Sequence, residues 1–170
     1  MRLALYALAG LAFAASAHAA PEDFTTGPII EDFGPVATVL GADPVAPETL
    51  FMVAFDVADA AEEGKANRRL ETAARFLNMH GSAGVPASNM QLAIVVHGPA
   101  SADLTNSETN PSAPLIAALI DAGVSITLCG QTAAYRGIDQ DDLLPGVTLS
   151  LSAMTKHAQL QQQGFTLNPF

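Results

Sequence analysis

Val124-Ser125-Ile126-Thr127-Leu128 alternates apolar and hydroxyl side chains and then stops at Cys129-Gly130. That period of two predicts a strand, and a short helix follows through Gln131–Arg136 to Gly137. Upstream, Leu92–Val96 is a wholly apolar run ending in His97-Gly98, and Leu50–Phe55 is another ending at Asp56. Both are short enough for strands buried on two faces. Between them, Asp59–His80 carries Leu70, Ala73, Ala74 and Leu77 at helical spacing and closes on Gly81. A second helix starts at Asn110-Pro111, carries Leu115, Ile116, Leu119 and Ile120, and stops at Gly123. Downstream, Val147–Leu151 predicts a fourth strand, Ser152 to Gln163 a helix, and Phe165–Leu167 a short fifth strand. Strands that alternate with helices imply an α/β fold with a parallel sheet covered by helices.

The rest of the composition narrows the function. The chain has 170 residues, one cysteine, seven Lys and Arg, seventeen Asp and Glu, and a formal charge of −10. One cysteine excludes an intramolecular disulfide, multi-Cys zinc modules and CxxC redox motifs. The acidity argues against a nucleic-acid partner, because phosphate binding needs clustered Lys and Arg.

Met1-Arg2, the apolar run Leu3 to Ala15 and the small-x-small site Ala17-His18-Ala19 have the layout of a secretory signal peptide over residues 1–19, cleaved before Ala20. The apolar run is too short to span ~30 Å of hydrocarbon. No later stretch is apolar enough to span, so the expectation is an exported, periplasmic protein without stable membrane insertion. Cleavage would remove Arg2 and no acid, leaving six basic and seventeen acidic residues, a formal −11. Residues 20–49 then hold Pro21, Pro28, Pro35, Pro44 and Pro47. This predicts an extended arm with one short strand at Val36–Leu40. Its Ile29, Ile30, Phe33 and Val36 suggest that it packs on the domain that begins at Leu50.

In a parallel sheet the strand ends gather on one edge, where ligands collect. Asp56, His97 and Cys129 all fall there. Cys129 is the main candidate, at a strand–helix junction where free amides and the helix dipole favour an anion and lower a thiol's pKa. The competing reading is a small buried hydrophobe. His97 is the second candidate, an acid or base toward Cys129, provided that the second and third strands are neighbours. Asp56 reads as a turn residue, and His80 and His157 as surface residues. Lys65, Arg68, Arg69 and Arg75 read as a solvated helix face paired with Glu62, Glu63 and Glu71. GxGxxG, Walker, GxSxG and HExxH patterns are absent from the sequence, and the histidines are not clustered, so neither a cofactor nor a metal is expected.

Taken together, several segments resemble the DsrE/DsrF-like family of sulfur-relay proteins. They are Val53-Ala54-Phe55-Asp56-Val57, Ala74-Arg75-Phe76-Leu77-Asn78, Ile94-Val95-Val96-His97-Gly98, Gly123 to Thr132, Leu143-Leu144-Pro145-Gly146-Val147 and Ser152-Ala153-Met154. The resemblance spans Leu50 to Phe170. It implies a three-layer α/β/α sandwich with about five parallel strands, the second and third adjacent. It also implies a homo-oligomer, a trimer or hexamer, and a cysteine that accepts sulfur as a persulfide from a donor protein and passes it to an acceptor. Cys129 sits where relatives carry their cysteine, and the implied strand order puts His97 on the adjacent strand end. The signal peptide and the Pro-rich arm depart from the cytoplasmic relay members. The rival expectation is a non-catalytic small-ligand or assembly module in which Cys129 only packs.

Overall fold

The computed structural model describes residues 20–169; the expected signal peptide, residues 1–19, lies outside them. Strands β1 (Phe51–Val57), β2 (Met90–Val96), β3 (Ser125–Cys129), β4 (Thr148–Ser150) and β5 (Thr166–Asn168) form one sheet in the order β4-β3-β2-β1-β5. Every pairing is parallel. The connections carry helices α1 (Arg68–Ser82), α2 (Ala113–Asp121), α3 (Gly130–Arg136) and α4 (Ala153–Gln162). The second and third strands are neighbours, as expected, with Val96 opposite Leu128.

Side-chain alternation along the strands divides the interior. Phe55, Ile94, Val96, Ile126 and Leu128 join Leu70, Leu77, Leu115 and Leu119 in the larger core under α1 and α2. Ala54, Ala93 and Val95 point the other way, onto Leu160 of α4. The sheet therefore separates α1 from α4.

Element ends move for identifiable reasons. α1 begins nine residues after the expected Asp59, at Arg68, because Asn67 caps it by accepting from the Arg69 amide at 2.8 Å. Asn67 is itself buried, and its Nδ2 donates to Asp103 at 2.6 Å and to the Asp59 carbonyl at 2.9 Å. Residues 59–66 thus belong to a loop, and Gly64 turns within it at φ +71°. α2 starts at Ala113 rather than Asn110, since Asn110 organises the preceding loop through the Asp103 and Thr105 carbonyls. The segment Gly98–Leu104 forms a 3-10 helix that the strand and helix periods do not announce.

The arm packs on α1 but holds no strand at Val36–Leu40; it has one antiparallel bridge, Thr25 to Val36. Its anchor is Asn78, fully buried on α1. Asn78 Oδ1 accepts from the amides of Ile29 (3.1 Å) and Ile30 (2.8 Å), and Nδ2 donates to the carbonyls of Ile30, Phe33 and Gly34. Glu71 accepts from the Gly34 amide at 3.1 Å, and Ile30 enters the larger core. A side chain at Gly34 would strike the Arg75 backbone, so only glycine lets the arm lie this close.

Candidate functional site

At the carboxyl edge, β3 ends in Cys129, which is also the N-cap residue of α3. The next residue must be glycine, because a Cβ at Gly130 would collide with the Ser150 carbonyl oxygen and lie 3.2 Å from that of Leu151. The close approach brings the end of β4 to the start of α3. Past β4, Ser152 caps α4 by accepting from the Thr155 amide at 3.0 Å. Two helices therefore start beside the same sulfur, and the amides at a helix start have no partner within the helix.

Cys129 is 6% exposed. Burial alone would raise its pKa; the Thr132 and Ala153 amides, the Thr132 hydroxyl and the Gln131 amide outweigh it and hold the thiol below its ordinary value. No capping hydrogen bond is closed on the sulfur at α3. The amides act as donors facing a developing thiolate. Thr132 is fixed from the other side, for its Oγ1 accepts the Gly98 amide at 3.1 Å. Gly98 reaches that position at φ +57°, where a side chain would be strained. The two strand–reactive residue–glycine segments are thus joined physically, through Thr132.

His97 lies just past β2, one strand from Cys129. It is not turned to the thiol: its Nε2 donates to Asp56 Oδ2 at 3.1 Å. The groups that act on Cys129 are those of Thr132, Ala153 and Gln131. Asp56 does more than a turn residue, since its other oxygen accepts from His157 Nε2 at 2.7 Å. Burial would raise the Asp56 pKa, but the hydrogen bonds from His157 and His97, with their charge when protonated, bring it below the usual carboxylate value. His157 is therefore not the surface residue expected. Ala153, His157 and Leu160 share one face of α4 at i, i+4 and i+7, and that face packs on the sheet. His157 Nδ1 is buried without a hydrogen-bond partner among the described residues. His80, by contrast, stays at the far end of α1, with Nδ1 near the Phe76 carbonyl at 2.8 Å and its ring stacked on Phe76.

Sequence reasoning missed His157, Thr132 and the Ala153 amide. The spacing of Ala153, His157 and Leu160 was the available signal for the first. The cationic face of α1 also differs from expectation. Lys65 pairs with Glu62 at 2.6 Å, but none of Arg68, Arg69 and Arg75 reaches a carboxylate among the described residues.

A parallel α/β sandwich with a thiol set between two helix starts at its carboxyl edge defines the class of protein. The model of the DsrE/DsrF-like family matches residues 50–169, and the chain belongs to that family. Two solved structures share the fold. A protein of unknown function from Methanobacterium thermoautotrophicum is 21% identical with a TM-score of 0.56, and the match covers 71% of this chain and 99% of the other. The YchN protein from E. coli is 19% identical with a TM-score of 0.51, covering 71% of this chain and all of the other. No curated protein matches the sequence significantly.

Proposed function

We propose that the protein is an exported sulfur carrier that holds sulfane sulfur on Cys129. The observation that carries the reading is the placement of Cys129 at the start of α3, against which the end of β4 is packed through Gly130 and Ser150, where the Thr132, Ala153 and Gln131 donors favour its thiolate. Family membership supports a sulfur-relay type of role. In loading, the Cys129 thiolate attacks the terminal sulfur of a donor protein's persulfide. A new S–S bond forms at Cys129, the donor's S–S bond breaks, and its electron pair stays on the donor thiolate. No external oxidant or reductant is required. The facing amides then stabilise the anionic persulfide as they stabilise the thiolate. His97, held by Asp56 at 3.1 Å, stands beside this step rather than in it. Transfer to an acceptor thiol is the same step reversed.

Mass spectrometry after exposure to a small-molecule persulfide tests this. The expected result is a gain of one sulfur atom on Cys129, removed by a thiol reductant and absent in a folded Cys129→Ser variant. A folded protein that gains no sulfur and whose thiol resists alkylation would overturn it in favour of a binding or assembly module. Export through residues 1–19 predicts a mature chain starting at Ala20 in the periplasmic fraction. Assembly into a trimer or hexamer predicts a corresponding mass by sedimentation.

A further inference from the structure

The outer face of α1 carries charge that the thiol site does not use. Arg68, Arg69 and Arg75, with Glu71 and Thr72, line a concavity of about 350 Å³. That lies within the ~300–1,000 Å³ typical of small-ligand pockets. None of the three guanidiniums reaches a carboxylate among the described residues. The one acid in the lining, Glu71, is turned toward the arm, where it accepts the Gly34 amide at 3.1 Å. The Thr72 hydroxyl donates to the Arg68 carbonyl at 3.2 Å. Lys65 pairs with Glu62 at 2.6 Å, and Arg68 acts on that carboxylate through its charge without reaching it.

As plain surface this arrangement is unfavourable. Arg68 and Arg69 open α1, where a cation opposes the helix dipole. In a chain with seven basic residues and a net charge of −10, three of them face one hollow. An anion in that hollow offsets the charge of the two arginines at the helix start. Guanidinium groups also suit tetrahedral oxygens, since each presents a planar fork of donors.

We propose that Arg68, Arg69 and Arg75 form a binding site for a doubly charged tetrahedral oxoanion, a phosphate or sulfate group, on the outer face of α1. The site is separate from Cys129, because α1 covers the face of the sheet opposite α4. It stands whether or not the thiol carries sulfur.

The test is NMR titration of the arginine Nε–Hε signals of the full mature chain with inorganic phosphate, with sulfate, and with a simple phosphate monoester. Sodium chloride at matched ionic strength is the reference. Saturable shifts of the Arg68, Arg69 and Arg75 signals are expected, with affinity lowered about ten-fold or more in Arg75→Ala. The Arg68→Gln variant should weaken binding similarly, whereas Lys65→Ala and Cys129→Ser leave it unchanged. A stronger response to the ester than to the free ions identifies an esterified ligand, and the reverse a free anion; both support the site. Shifts that never saturate, that chloride reproduces, or that survive both arginine substitutions overturn it.

Discussion

Thr132 receives the Gly98 amide on its hydroxyl oxygen at 3.1 Å, and its side chain is among the groups that lower the Cys129 pKa. Replacing it with valine keeps the shape and removes that hydroxyl. Burial then counts for more at Cys129, and the thiol pKa rises. The expected outcome for Thr132→Val is a several-fold slower alkylation of Cys129 near neutral pH, with the same limiting rate at high pH. The pH profile of iodoacetamide labelling checks it; an unchanged profile would show that the backbone amides alone set the thiol. Asp56 yields a second prediction, with its sign set by linkage. Its folded pKa lies below the unfolded value of ~3.9. The folded state therefore binds fewer protons, and its contribution is present above that pH and lost as pH falls through the lower folded value. Asp56→Asn should flatten this part of the acid limb in urea titrations between about pH 2 and 5. The change should be small, because the side chain is 41% exposed and its pairs are screened by solvent.

At the scale of elements, Gly130 and Ser152 fix where α3 and α4 begin, and hence what surrounds the sulfur. Gly130→Ala sets a methyl against the Ser150 carbonyl. Overpacking of this kind costs about 1–3 kcal/mol. The expected outcome is a lower urea midpoint together with a raised thiol pKa, because α3 must back away from β4 and take its amides with it. The strand ends at Asp56, His97 and Cys129, their parallel order and the buried stripe of α1 are all legible in the sequence, since each follows from a period of two or of 3.6 residues. The loop over residues 59–66 is not, because a side chain brought in from Asp103, distant in sequence, stabilises Asn67 as the cap. His157 looked exposed because α4 is mostly polar, with only Leu160 fully buried on it. Its partner Asp56 lies 101 residues away, a distance at which periodicity carries no information.

For the whole molecule, the family match begins at residue 50, yet the folded unit begins earlier. Ile30 is buried in the larger core, and Asn78 makes five hydrogen bonds to the arm's backbone. A chain that starts at Leu50 leaves the Asn78 amide buried on α1 with those bonds unmade and bares the apolar surface under Ile30. Burying one such side chain stabilises by about 1.5–3 kcal/mol, and a polar group left buried and unpaired costs about 1–3 kcal/mol. Asn78→Ala in a chain that keeps residues 20–49 removes the anchor without removing the arm. It should cost at least ~2 kcal/mol in urea unfolding and open residues 25–40 to limited proteolysis. The thiol should not notice either change. α1 and the arm lie across the sheet from α4, and the donors around Cys129 come from α3 and the start of α4. Loss of residues 20–49 should therefore lower the melting temperature while leaving the alkylation pH profile of Cys129 in place. A shift of that profile with the arm's removal would mean that the arm's clasp on α1 is transmitted through the sheet to the thiol.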